Sequence, residues 1–102
     1  MTFTIQKLDE ARTWHLAGEL DVAEAEGLVD QVRGSLPTEG DVYLDLEELT
    51  FIDSSGLRAL VTISEMLPMG SKLVLNKPTP PVRRVLDLVG IEGSVQGITV
   101  RD

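Results

Sequence analysis

Apolar residues alternate at the start of the chain and then switch to helical spacing three times. Phe3 and Ile5, with Leu8 beyond them, sketch a first short strand, and after a turn at Asp9-Glu10-Ala11 the period of two resumes at Trp14 and Leu16. The pair predicts a hairpin. From Asp21 the period changes: Val22, Ala25, Val29, Val32 and Leu36 follow at spacings of 3 and 4, one stripe of an amphipathic helix. Asp21 suits its N-cap, with Glu24 in the capping-box relation three residues later. Pro37 and Gly40 end this helix, and Gly27 and Gly34 weaken its intrinsic propensity. Val42, Leu44 and Leu46 alternate with Tyr43 and Asp45 as the clearest strand, and a loop through Leu49, Phe51 and Ile52 follows. A second helix, Ser54 to Leu67, carries Leu57, Leu60, Val61 and Leu67 on one face and Ala59, Ile63 and Met66 on the other. A helix apolar on most sides is either deeply packed or offers surface to a partner.

Pro68 and Gly70 stop that helix, and Leu73-Val74-Leu75 reads as a short strand covered on both faces. Thr79 is placed to cap a third helix with Pro80 and Pro81 in its first turn. Val82, Val85, Leu86 and Val89 form its stripe, Gly90 suits a left-handed C-cap, and Ile91 closes that cap by an apolar contact. Val95, Ile98 and Val100 suggest a last strand. The order β-β-α-β-α-β-α-β predicts an α/β fold: one domain over residues 1–102, a mixed sheet of four to five strands with helices packed on it.

Composition narrows the functions open to this fold. Seventeen acids against nine bases give a net charge of −8, which repels nucleic-acid backbones and anionic lipid surfaces. The acidity is uneven, since residues 9–53 hold thirteen acids against Arg12 and Arg33 while residues 54–102 hold four acids and six bases. The acidic half is either solvated surface or a docking face for a basic partner. With no cysteine there are no disulfides, thiolate metal sites or thiol nucleophiles, and the lone His15 cannot build a polyhistidine site. No apolar run approaches the ~20 residues of a membrane span, and Met1-Thr2-Phe3-Thr4 lacks signal-peptide character. A cytoplasmic domain without cofactor or metal is expected.

Candidate chemistry concentrates where the central strand runs into the second helix, at Leu49-Thr50-Phe51-Ile52-Asp53-Ser54-Ser55-Gly56-Leu57. Asp53, Ser54 and Ser55 are all good N-cap residues, but one cap needs one side chain, so hydroxyls remain. A serine at a helix start carries a phosphoryl group well, because free N–H groups and the helix dipole favour an anion there.

This string resembles the signature of the STAS domain, named for sulfate transporters and anti-sigma-factor antagonists. Gly18-Glu19-Leu20-Asp21 matches the family's other signature, and Pro80 to Gly90 matches its third helix. The resemblance implies a stand-alone anti-sigma-factor antagonist in a partner-switching circuit. Such a protein binds, while unphosphorylated, an anti-sigma factor that is also a serine kinase. The implied phosphoacceptor is Ser54, directly after the signature aspartate, and a serine phosphatase reverses the modification. Asp21, Asp53, Ser55, Gly56, Leu57 and Arg58 are the implied partner-binding residues.

Two other functions compete. Some STAS proteins resemble accessory subunits of membrane lipid-transport ATPases, though those often lack a serine that Ser54 and Ser55 supply here. Small acidic carrier proteins also place Asp-Ser at a helix start, but they are all-helical. No enzyme is expected, since His15 has no Ser-Asp arrangement near it in sequence and reads as a half-exposed strand residue. Asp45, opposite in phase to Leu44 and Leu46, is read as tying down the signature loop through backbone N–H groups. Lys77, Arg83 and Arg84 read as solvated bases, with contact to a nucleotide phosphate as the alternative.

Overall fold

The computed structural model describes residues 3–8, 12–36 and 39–102. Strands β1 (Phe3–Lys7) and β2 (Thr13–Leu20) form the antiparallel hairpin, closed by the Leu8 N–H on the Thr13 carbonyl. The turn read at residues 9–11 and the helix stop read at Pro37 lie outside the described residues. Helix α1 (Val22–Arg33), strand β3 (Val42–Ile52), helix α2 (Ser54–Met66), strand β4 (Leu73–Asn76), helices α3 (Pro80–Val89) and α4 (Ile91–Ser94) and strand β5 (Ile98–Arg101) complete the chain. The sheet runs β1-β2-β3-β4-β5, parallel from β2 onward.

Each parallel crossover steps one strand in the same direction, and right-handed crossovers then place their helices on one face of the sheet. There Trp14, Leu16, Leu44, Leu46 and Leu75 join Leu28, Val32, Leu60, Ile63, Val82 and Leu86 in one buried cluster. The opposite face carries half-buried His15, Tyr43, Asp45 and Thr99. Val74, on that face between its register partners Tyr43 and Thr99, is also buried. Thus β4 is covered on both faces, but on one of them by neighbouring side chains.

Three boundaries differ from the sequence pattern for local reasons. Helix α1 stops at Arg33 because Gly34 takes the C-cap, its N–H donating to the Asp30 carbonyl and the Ser35 N–H to the Val32 carbonyl, while Leu36 packs on the core from outside the helix. Gly90 adopts the left-handed conformation (φ 62°, ψ 46°) that ends α3, but Ile91 then starts the extra turn α4 and is buried. The largest difference is β3, which continues as strand through the stretch read as a loop. Its buried residues are Val42, Leu44, Leu46, Leu49 and Ile52, so the spacing changes from 2 to 3. Register shifts against β2 fall between His15 and Ala17 and between Gly18 and Glu19. Each shift inserts one extra residue in β3, a β-bulge, and keeps the next apolar side chain facing inward.

The described residues contain no helix long and apolar enough to cross a membrane. Leu44, fully buried on the central strand, tests the core directly. Leu44→Ala is expected to lower stability by about 2–5 kcal/mol, read as a lower urea midpoint at unchanged slope.

Candidate functional site

Parallel strands deliver their C-terminal ends to one edge of the sheet, where connecting loops gather. The two bulges bring the end of β3 level with that of β2: Leu20 is the register partner of Ile52, and the Asp53 N–H lies 3.3 Å from the Leu20 carbonyl. Asp21 and Asp53 therefore leave the sheet side by side. Both adopt nearly the same extended conformation, φ −120°, ψ −170° and φ −114°, ψ −171°. Each caps the helix it starts, Asp21 accepting from the Ala23 N–H at 3.0 Å and Asp53 from the Gly56 N–H at 3.0 Å. The Glu24 N–H bonds the Asp21 backbone carbonyl rather than its side chain, and among the described residues the Glu24 carboxylate makes no return bond, so neither bond of the expected capping box forms.

Side chains near the bulges hold this edge. Gly18 sits at φ 97°, a left-handed value that disfavours any side chain, and its carbonyl accepts the Thr50 hydroxyl at 3.0 Å. The Thr79 hydroxyl makes no cap bond; it donates to the Leu49 carbonyl at 2.7 Å and ties the start of α3 to β3. Pro80 and Pro81 bring no N–H to the first turn of α3, so fewer donors there need a cap. Thr50 was not singled out from sequence, for a hydroxyl has no periodic signature and its role exists only once the bulge is formed. Asp45 accepts the Glu47 N–H at 3.0 Å, within the first bulge.

The cap assignment answers the question left by three candidate residues. Asp53 takes it, and among the described residues neither the Ser54 nor the Ser55 hydroxyl is held by a hydrogen bond. Ser54 is exposed and Ser55 half-buried. Ser55 and Arg58 line an open groove of about 400 Å³ between α1 and α2, facing Val22, Ala25 and Val29. Val22 and Phe51, beside the two caps in sequence, are large apolar residues left exposed. Gly56 is buried beneath this surface rather than on it, and Leu57 packs partly on the core. The bases apart from the groove are differently placed: Arg83 pairs with Asp87 and Asp102, and Lys77 lies 4.0 Å from Glu47.

Gly56 and Gly27 separate packing from helix propensity. A Cβ at Gly56 would stand 2.6 Å from Ile52 Cγ1 and 2.8 Å from the Leu20 carbonyl oxygen, whereas one at Gly27 meets nothing within 4 Å. Gly56→Ala is expected to destabilise by about 1–3 kcal/mol despite the better helix former, and Gly27→Ala to stabilise by roughly 0.5–1 kcal/mol. Parallel chemical-denaturation curves check both signs.

Comparison with known proteins agrees with this architecture. The sequence profile of the STAS domain matches residues 2–102. BtrV of Bordetella bronchiseptica, described as a candidate anti-sigma factor antagonist, is 33% identical over 92 residues, covering 88% of this chain and 79% of that protein. A candidate anti-sigma factor antagonist from Thermotoga maritima superposes with a TM-score of 0.75 at 22% identity, over 98% of this chain and 86% of that one. The anti-sigma factor antagonist SpoIIAA in its unphosphorylated form does so with a TM-score of 0.71 at 22% identity, over 97% and 87%. With its fold shared by these structures and its whole length but the first residue matched by the profile, the chain belongs to the STAS domain family.

Proposed function

We propose that this protein is an anti-sigma-factor antagonist that binds an anti-sigma factor with serine kinase activity and is released when Ser54 is phosphorylated. The observation that carries the reading is the division of labour at the start of α2. Asp53 satisfies the Gly56 N–H, so the exposed Ser54 hydroxyl has no structural duty. Its relationship to BtrV and the likeness of its fold to SpoIIAA support the general class.

The physics suits a switch without refolding. Phosphorylation adds about −1.5 to −2 charge directly beside Asp53 and near Asp21, the acids that follow β3 and β2, in a chain of net charge −8. A partner that reads Asp21, Asp53, Ser55 and Arg58 then meets a bulky dianion it must desolvate. A penalty of ~3 kcal/mol lowers affinity more than a hundredfold. The N–H groups of Ser54 and Ser55, which the Asp53 cap does not engage, stabilise the phosphate, so α2 stays folded. A serine phosphatase reverses the step by removing an exposed group.

Phosphate incorporation with the cognate kinase and ATP tests the reading. Ser54→Ala is expected to abolish labelling and keep partner binding, while Ser55→Ala is labelled. Ser54→Asp is expected to bind weakly, though one carboxylate carries less charge than phosphate. Undiminished labelling of Ser54→Ala moves the acceptor elsewhere. If the wild type is labelled by no kinase of this class and co-purifies with an ATP-binding transport subunit, the lipid-transport accessory role replaces the proposal.

A further inference from the structure

The sheet face away from the helices carries a cluster that the switch reading leaves unused. His15 on β2 lies between two carboxylates of β3, with Nδ1 3.2 Å from Asp45 Oδ2 and Nε2 2.7 Å from Glu48 Oε1. These carboxylates bracket the first bulge: His15 is in register with Asp45, and Ala17 with Glu48. The other Asp45 oxygen accepts the Glu47 N–H within the bulge. One imidazole thus joins both ends of the irregularity. A neutral imidazole has one N–H, and only the imidazolium donates from both nitrogens. With His15 neutral, one of the two contacts sets a ring lone pair against a carboxylate oxygen.

We propose that His15 is a proton-operated staple on the β3 bulge: protonated, it holds the end of β3 and the Asp53 cap in place; neutral, it lets that segment loosen. The lever is geometric. The bulges determine which β3 residue stands level with Leu20, and so where Asp53 and Ser54 fall relative to Asp21. Other groups around the ring leave the two carboxylates in control. Gln6, its β1 partner, and Asn76, the β4 partner of Asp45, are uncharged. Lys7 lies over the Trp14 ring at 5.6 Å, and Lys77 is 4.0 Å from Glu47. The hydrogen bond to Glu48, partly opposed by burial and aided by Asp45, raises the His15 pKa above its ordinary 6.5. A folded-state pKa above the unfolded one means the stabilisation is complete below about 6.5 and is lost as pH rises through the folded value. The staple therefore releases on the alkaline side of 6.5. Its consequence for partner binding rests on the switch reading, but the staple itself does not.

Backbone amide and histidine-ring NMR on the unmodified full chain, titrated over roughly pH 5 to 9, tests it without any kinase or partner. Carboxylates complete their titration at lower pH and the α-amino group titrates at about 7.7–8.0, so an amide change is assigned to the ring only where it shares the midpoint of the His15 ring signals. The His15 ring is expected to titrate with a midpoint above 6.5, and the amides of Glu47, Glu48, Asp53 and Gly56 to move with that same midpoint. His15→Gln is expected to remove the shared transition, and to shrink its Tm deficit against the wild type as pH rises. A His15 midpoint at or below 6.5 overturns the staple. Movement at Glu47 and Glu48 with Asp53 and Gly56 flat overturns its reach to the site. Should His15→Gln fail to fold, the wild-type titration alone decides. Failure of Ser54 labelling, by contrast, bears only on the switch.

Discussion

The parallel pairing of β2 and β3 up to their last residues is the constraint on which the rest of the molecule depends. Leu20 stands against Ile52, and the next residue of each strand is an aspartate that caps a helix. The pairing also determines how closely α2 approaches: the Gly56 backbone lies against Ile52 and the Leu20 carbonyl, where any side chain would collide. Two caps, two helix starts and one exposed serine are thereby set on a single edge. No separate loop scaffold is needed.

In the proposed switch, that edge separates holding from signalling. Backbone N–H groups are satisfied by carboxylates, and the Thr50 and Thr79 hydroxyls fasten the carbonyls of Gly18 and Leu49. Among the described residues the exposed Ser54 hydroxyl holds no part of the fold. A group added to a side chain with no structural bond changes the charge of the surface at small cost to the fold. In the proposed circuit, that separation lets phosphorylation alter affinity while the core beneath stays as packed.

Much of this was legible in the chain. The change of period at Asp21, Ser54 and Pro80 located the long helices because burial on one face imposes the 3-4 spacing directly. The second half of β3 was not legible as strand, since two bulges stretch the inward spacing from Leu46 to Leu49 and from Leu49 to Ile52. Alternation fails as a signal wherever an extra residue resets the phase. The short helix α4 was likewise hidden, being a single turn started by a left-handed glycine. At the site, Asp21 was visible as a cap, Asp53, Ser54 and Ser55 were rival candidates for the other, and the resemblance pointed to Ser54. Their adjacency was not, because it arises from strand register. Nor was the meeting of His15 with Glu48, which lies 33 residues away and faces it only because the first bulge intervenes.

In the proposed switch, Ser54 stands on a preformed platform, and its phosphorylation changes surface chemistry rather than fold. Comparing backbone amide spectra of the unmodified protein with a form carrying phosphoserine at position 54 tests this most directly. Shifts are expected only at the ends of β2 and β3, the two caps and the first turns of α1 and α2, with β4, α3 and β5 unchanged. Shifts spreading through β4 and α3, or loss of the Gly56 amide's cap signature, would contradict it and make the switch a conformational one.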